Sequence, residues 1–372
     1  MKTILFCDNT LWGLVNFRGR VIEHFRDNGY RVVLCAPEKE DKQMRTTLPD
    51  GVGFEPIRMG RNSKNPINDL RYMFRLYKIF RRVRPDYVFT YTIKPNIYGS
   101  LVASWLKIPL TCMMAGMGYV FNNDGLASRV ARRLYRIGLS HAQNVLLLNN
   151  DNRARVVEMG MCDPNKIILL QGGEGLDLQT FHYFDNESSD VLFLFVGRLS
   201  WDKGYGEFVE AAKKVTVMNP EVTFNIYGSL DPSYPNNVSE DIVKSDTDAG
   251  IYEYKGFVPD MNEIYRRKGI VMVLPSYHEG MSRSLMEACA VGKPIITTNI
   301  AGCREFVDDG INGYLVPVKD SQALADAMMK YLALADDEKK KFSLASRKHA
   351  EKYFDVNDVI RIYDEIVHDA IK

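Results

Sequence analysis

Two α/β domains, each a doubly wound parallel sheet flanked by helices, are the fold class this sequence predicts. Three observations carry the prediction. The chain has 372 residues, enough to bury two cores. Apolar runs of strand length alternate with stretches of helical periodicity. That alternation stops in a glycine-rich and then polar segment, residues 172–190, and afterwards starts again. Charge divides the same way. Residues 1–180 hold 26 Lys and Arg against 16 Asp and Glu, while the remainder holds 22 against 31. The expected organisation is therefore a cationic first domain at 1–180, an anionic second domain at 181–353, and a last helix at 354–372.

Taken in order, residues 3–7 (TILFC) form a first buried strand, followed by a loop over 8–17 with a single glycine, Gly13. A helix over 15–28 follows, with Gly29 past its end. Residues 31–36 (RVVLCA) form the second strand. This βαβ start carries no GxGxxG, which argues against a nicotinamide or flavin cofactor. Residues 69–84 (DLRYMFRLYKIFRRVR) are helical by spacing. Leu70, Met73, Phe74, Tyr77 and Phe80 are expected to face the core, and Arg71, Arg75, Lys78 and Arg82 to form a second stripe. Arg129, Arg132, Arg133 and Arg136 repeat that stripe on a later helix. Between residues 60 and 136 there are 14 basic and three acidic residues. Such a face is either simply solvated or turned toward an anionic surface.

Residues 87–92 form a strand, and Ile93-Lys94-Pro95-Asn96 opens the next helix with Pro95 in its first turn. Lys94, at that helix start, is a candidate for a phosphate or a reacting oxygen. The glycines of 116–119, Gly118 among them, leave space for a second substrate. Residues 144–148 and 166–170 are the last strands of the first domain. In the second domain, 191–196 is a strand, 205–217 a helix and 222–227 a strand. Residues 231–250 are expected to be a polar loop. Three helical stretches close the chain, the last with Val359, Ile360, Tyr363, Ile366 and Val367 on one face.

Residues 275–302 (PSYHEGMSRSLMEACAVGKPIITTNIAG) hold the densest chemistry. An apolar strand at 269–274 leads into a turn bearing Glu279, then a short helix bearing Glu287, then Gly292 and another strand at 294–298. Ligands of open α/β sheets sit at such strand ends. The amides of Gly280, Met281 and Ser282 are placed to converge on an anion at a helix start. A plain reading competes: Ser284 and Glu287 fit a capping box, and Glu279 fits an exposed loop residue. His278-Glu279 is not the start of a zinc HExxH helix, because position 282 is Ser.

Glu279 and Glu287 within EGMSRSLMEA resemble the signature of the retaining glycosyltransferases of family 4, which have the GT-B architecture of two Rossmann-like domains facing across a cleft. VGRLSWDKG at 196–204, with Arg198 and Lys203, is similar to that family's strand-end loop, and the order continues through Tyr227-Gly228, Tyr254-Lys-Gly-Phe-Val258 and NGYLVP. YTIKPNIYGS at 91–100 and GMGYVF at 116–121 resemble bacterial members that build lipid-linked oligosaccharides. The resemblance implies that Arg198, Lys203 and the amides after Glu279 stabilise a leaving diphosphate. It implies that Glu279 holds donor-sugar hydroxyls, Glu287 the ribose, and Gly228 and Val258 the nucleotide side of the site. Gly13 would let the first loop approach sugar and diphosphate; a turn glycine is the plain alternative. Members of the family often carry a histidine near the donor sugar. Here the first domain offers only His24 and His141, neither in a strand-end loop, which shifts interest to Lys94.

The implied reaction moves a sugar, with N-acetylhexosamine the first choice, from a UDP-sugar to a polyprenyl-diphosphate-linked saccharide with retention. A soluble acceptor or a nucleotide-sugar epimerase is the alternative. No obligatory metal or other cofactor is expected, because the GT-B resemblance implies none. The hydrophobic share of 46% and charged share of 26% are those of a soluble globular protein, and no apolar run approaches the ~20 residues that span a bilayer. Six cysteines without CxxC or framework spacing point to reduced thiols in the cytoplasm. The basic helices then point to an anionic membrane surface as partner and a peripheral position on its inner face. Nucleic acid is not expected: the chain as a whole is balanced at +1 and carries no such motif.

Overall fold

The computed structural model describes residues 1–37, 47–60, 65–116, 121 and 125–371. These form two compact units, one of residues 1–175 with 356–372 and one of residues 176–355. In the first, seven strands alternate with helices. They are β1 Thr3–Cys7, α1 Leu11–Asp27, β2 Arg31–Ala36, β3 Gly53–Pro56, α2 Pro66–Val83, β4 Tyr87–Tyr91, α3 Ser100–Leu106, β5 Leu110–Met114, α4 Leu126–His141, β6 Asn144–Leu147, α5 Asn150–Glu158 and β7 Ile167–Leu169. The sheet order is β3-β2-β1-β4-β5-β6-β7, and every pairing is parallel. The order reverses between β1 and β4, so the loops after these two strands diverge and leave a crevice at their carboxyl ends. With the usual right-handed crossovers this strand order assigns α1 to one face and α2, α3 and α4 to the other, and α3 packs between α2 and α4.

The second unit repeats the plan. Its elements are β8 Leu192–Val196, α6 Tyr205–Met218, β9 Thr223–Tyr227, α7 Glu240–Asp248, β10 Glu253–Tyr254, α8 Asn262–Tyr265, β11 Ile270–Leu274, α9 Arg283–Ala290, β12 Ile295–Thr298, β13 Gly313–Val316, α10 Ser321–Leu332 and α11 Asp336–Tyr353. The parallel order is β10-β9-β8-β11-β12-β13, with its reversal between β8 and β11. The central strands, buried on both faces, read as unbroken apolar runs for that reason. The last helix, α12 Val356–Ala370, returns to the first unit. It packs on α1 and buries Val359, Tyr363, Ile366 and Val367 there.

A buried ionic cluster ties this first unit together. Arg18, 4% exposed, reaches Asp8 at 3.1 Å and Glu174 at 2.5 Å, and lies 4.1 Å over the Tyr91 ring. Burial opposes the guanidinium's charge, and Glu174 and then Asp8 more than offset it. Tyr91 in turn meets Tyr363 of α12, hydroxyl to hydroxyl at 3.1 Å.

Two local expectations change. The core face of α2 is Tyr72, Leu76, Ile79, Phe80 and Val83, whereas Leu70 and Phe74 are exposed and Met73 and Tyr77 half-buried. Both sets obey helical spacing, because the helix carries apolar residues on two stripes; only the sheet beneath selects one. The polar 231–250 segment contains α7. Ser239 caps it, its hydroxyl accepting from the Ile242 amide, and Glu240 and Asp241 sit in the first turn where the helix dipole favours acids.

The corrected phase of α2 is testable by urea unfolding. Leu76→Ala is expected to destabilise by about 2–5 kcal/mol, whereas Leu70→Ala stays within about 0.5 kcal/mol. Equal losses at the two positions would return Leu70 to the core.

Candidate active site

The second unit gathers its chemistry where strand order reverses. The loop after β8 brings Arg198 and Lys203, and the loop after β11 brings Glu279. Backbone contacts join these loops. The Asp202 carbonyl accepts from the Tyr277 amide at 2.8 Å and from the Ser276 hydroxyl at 3.3 Å. Gly204, at φ +78°, makes the approach possible, since a Cβ there would lie 2.1 Å from the Pro275 carbonyl oxygen. Beneath them, Thr297 and Thr298 of β12 donate their hydroxyls to the carbonyls of Leu274 and Ser276. At the end of β9, Gly228 is equally forced: a Cβ would lie 1.7 Å from the Gly197 carbonyl oxygen. Its own amide donates to the Gly256 carbonyl at 2.8 Å, which carries the approach on toward Val258, a half-buried residue packed on the core.

Lys203 and Glu279, 76 residues apart, form an ion pair, with side chains 28% and 10% exposed. Arg198 lies with its guanidinium 4.4 Å over the Tyr234 ring. Tyr234 donates its hydroxyl to the Asp202 carboxylate. Burial and that carboxylate push the phenol up to about 12, so it remains a donor at neutral pH. The 229–238 segment is thus part of the site. It binds the Arg198 loop by Leu199 N to Ser229 O, Trp201 N to Asn236 O and Val238 N to Leu199 O. Sequence reasoning passed over Asp202 and Tyr234. Asp202 was visible inside WDKG beside Lys203; Tyr234 gave no signal, lying in a stretch read as an unremarkable loop.

The anion cradle after Glu279 differs from expectation. The Ser282 amide already donates to the Gly302 carbonyl at 3.0 Å, so it does not point a free N–H at a ligand. Gly280 and half-buried Met281 occupy the turn between Glu279 and α9, and Met281 packs on the core. The capping box also fails. α9 begins at Arg283 with Ser282 as its cap, and Glu287, too far along to reach back, accepts from Arg283 Nε at 2.9 Å. Its side chain is 16% exposed, and burial raises its pKa although Arg283 pulls the other way.

In the first unit, Gly13 and Lys94 flank the reversal between β1 and β4. Gly13 is not in a loop: α1 starts at Leu11, and Thr10 caps it by accepting the Gly13 amide at 2.8 Å. A Cβ at Gly13 would come within 2.9 Å of the Thr10 hydroxyl and 3.3 Å of Asp8, so a larger residue there would crowd the cap and the Arg18 cluster. Lys94 is engaged by the Gly60 carbonyl at 2.8 Å and by Asp69 at 2.7 Å, with Tyr98 on the second Asp69 oxygen at 3.0 Å. A phosphate reaching Lys94 would compete with that carboxylate. Pro95–Gly99 is a π-helical turn, not the first turn of an α-helix. Thr92 before it holds φ +67°, with its hydroxyl 3.2 Å from Asp8. A β-branched residue in that region is a local strain of the kind that accompanies binding sites. Gly118 lies outside the described residues. Among the described residues no cluster of His, Cys, Asp and Glu is arranged to hold a metal ion.

The second unit therefore presents two cations and a carboxylate on rigid strand ends, with a second carboxylate on the adjoining helix. Such a set fits a ligand that combines phosphates with hydroxyls. Comparison with known proteins agrees. The family described as "Glycosyl transferases group 1" matches residues 182–349, and that described as "Glycosyl transferase 4-like domain" matches residues 13–173. The chain is 26% identical to the N,N'-diacetylbacillosaminyl-diphospho-undecaprenol alpha-1,3-N-acetylgalactosaminyltransferase of Campylobacter jejuni, over 95% of this chain and 96% of the relative. It is 25% identical to the UDP-Gal:alpha-D-GlcNAc-diphosphoundecaprenol alpha-1,3-galactosyltransferase of Escherichia coli, over 81% and 79%. Among solved structures, a glycosyltransferase from Rickettsia africae superimposes with TM-score 0.78 at 20% identity, covering 100% of this chain and 99% of that one. HepE of Anabaena in complex with UDP-glucose gives 0.78 at 17%, covering 99% and 100%. At these identities the structural likeness establishes the fold, which is GT-B.

Glu287 yields a prediction independent of activity. Its folded pKa is raised, so unfolding releases a proton, and the wild type loses stability as pH rises from the unfolded to the folded pKa. Glu287→Gln lacks that loss. Its melting temperature relative to wild type is expected to climb across the carboxylate range and level off above the folded pKa. A difference that stays flat with pH would show that the carboxylate is not buried at a cost.

Proposed function

Because the chain belongs to the group 1 glycosyl transferases, with a glycosyl transferase 4-like domain as its first unit, we propose that this enzyme transfers a sugar from a UDP-sugar to a polyprenyl-diphosphate-linked saccharide, with retained anomeric configuration. The transfer serves assembly of a surface polysaccharide or related glycan. The donor is held by the second unit and the acceptor is assigned to the first. An N-acetylhexosamine is the sugar of first choice, because the Campylobacter relative, similar over 95% of this chain, is an N-acetylgalactosaminyltransferase. The protein works as a peripheral protein on the inner face of the cell membrane. Among the described residues no helix is long and apolar enough to cross a membrane.

The observation that carries this reading is the Lys203–Glu279 ion pair beside Arg198 at the strand reversal of the second sheet. A donor diphosphate gives Lys203 a new anionic partner. Glu279 is then released to accept from the hydroxyls of the donor sugar. Arg198, already oriented on Tyr234, adds a planar two-pronged donor to the diphosphate. As the bond to the sugar breaks, negative charge grows on that diphosphate, and cations held in place beforehand stabilise it without reorganising. Glu287 takes ribose hydroxyls from α9. The two carboxylates serve different cations, Lys203 and Arg283, which favours binding roles over the paired acid and nucleophile of a glycosidase. Arg198 and Lys203 supply the countercharge to the leaving diphosphate, so the proposed reaction uses no metal.

The test is UDP release from a panel of UDP- and GDP-sugars, with and without a polyprenyl-diphosphate-sugar acceptor. Acceptor-dependent release from one UDP-sugar is the expected result; conversion of a UDP-sugar without acceptor would point to an epimerase instead. Arg198→Ala is expected to lower kcat/KM by the equivalent of about 1.5–3 kcal/mol, the usual worth of charged hydrogen bonds, and unchanged turnover would remove Arg198 from the diphosphate. Chelation with EDTA is expected to leave the rate as it was; a loss restored by a divalent cation would overturn metal independence.

A further inference from the structure

Gly302, in the loop after β12, meets the Glu279 turn at both of its ends. At φ +81° it approaches Glu279 so closely that a Cβ there would stand 2.7 Å from the Glu279 Cβ and 2.8 Å from its carbonyl oxygen. At the other end of the turn, the Gly302 carbonyl accepts the Ser282 amide at 3.0 Å. The turn that carries Glu279 is therefore seated on one glycine, and the position of that glycine sets the position of the Glu279 backbone.

Glu305 holds Gly302 in turn. Its Oε2 accepts the Gly302 amide at 2.7 Å, a charge-assisted bond. Glu305 lies in a 3-10 turn, Arg304–Phe306, which is anchored by elements behind the site. Phe306 is fully buried and packs on Phe354, ring centroids 5.0 Å apart. The Asn312 side chain, just before β13, donates to the Phe306 carbonyl at 3.0 Å and accepts the Asp308 amide at 2.7 Å. From α11, buried His349 spans the same segment. Its Nε2 lies 2.8 Å from the Glu305 carbonyl oxygen and its Nδ1 3.0 Å from the Asp308 carboxylate. A carboxylate on so constrained a backbone is a fixed point for the glycine it binds.

We propose that Glu305 is a positioning residue for the donor sugar, acting through Gly302 to keep the Glu279 backbone in place when the Lys203–Glu279 ion pair opens. The inference rests on the donor reading given above and adds a residue to it. Without a ligand, Lys203 itself restrains the Glu279 side chain. Once a diphosphate draws Lys203 away, that restraint is lost just as the carboxylate has to meet sugar hydroxyls. A binding group must stand within about 0.5 Å of its productive place, so the restraint has to come from the backbone. Glu287 needs no such brace, because α9 packs on α11 and against β11 and β12. Glu305 therefore governs the sugar and leaves the nucleoside diphosphate alone.

Titration calorimetry of the whole protein with UDP and with UDP-N-acetylgalactosamine separates the two. Glu279→Ala sets the scale, since it is expected to raise the Kd of the sugar nucleotide relative to that of UDP. Glu305→Ala is expected to raise the same ratio at least about tenfold while the UDP Kd stays within about twofold. Glu305→Gln keeps an acceptor oxygen for the Gly302 amide and should bring the ratio back to within about threefold of wild type. Glu305→Asp keeps the charge and withdraws the carboxylate by one methylene. It should show the loss as well, and it supplies the reading if Glu305→Ala does not fold. An unchanged ratio in Glu305→Ala and Glu305→Asp, beside a raised one in Glu279→Ala, would overturn this inference alone. Equal weakening of UDP and the sugar nucleotide would also overturn it, by making Glu305 a general support of the unit. So would a failure of Glu305→Gln to recover, which would make the charge and not the hydrogen bond the cause. No change in Glu279→Ala would overturn the donor reading and this inference with it.

Discussion

The second unit depends on the way Asp202 binds two loops that a parallel sheet drives apart. Reversal of strand order between β8 and β11 sends the following chains to opposite faces, which opens the crevice a ligand needs. The same reversal leaves Arg198 and Glu279 on loops with no ladder between them. The Asp202 carbonyl restores the link by taking Tyr277 and Ser276, and its carboxylate takes Tyr234, on which Arg198 lies. One residue thereby joins three loops and, through Tyr234, orients Arg198. Gly204 and Gly228 exist to let those backbones touch.

The first unit solves a similar problem with buried charge. Asp8 follows β1 and Thr92 follows β4, on the two sides of the reversal, and they meet carboxylate to hydroxyl. Arg18 secures Asp8 from α1 and Glu174 from the segment where the chain leaves the unit. Removing one partner of such a cluster costs several kcal/mol, because it strands the other's charge out of water. The crevice and the point of departure of the chain are therefore coupled by electrostatics.

Much of the fold was legible because buried parallel strands leave a plain trace: short, unbroken apolar runs such as IVMVL and LFLFV, each followed by a helical pattern. The last helix was read almost residue by residue, since its single apolar stripe admits one phase. α2 was misread for the converse reason, having two stripes of equal periodicity. The loop at 231–250 was misread because polarity there conceals a capped helix, α7, and a tyrosine whose role comes from a cation 36 residues upstream.

The sequence by itself determined the architecture and the chemical inventory: two alternating α/β domains, a basic first half, and Arg198, Lys203, Glu279 and Glu287 in segments that end strands or start helices. Periodicity and residue type are local properties, and these conclusions need nothing more. Tertiary structure alone decided who partners whom. It paired Lys203 with Glu279 and Glu287 with Arg283, closed the Ser282 amide on Gly302, engaged Lys94 with Asp69 and turned Leu70 and Phe74 to the outside. Each of those outcomes depends on which surface lies opposite a side chain. That is set by strand order and helix phase across tens of residues, a relation that no window of the chain contains.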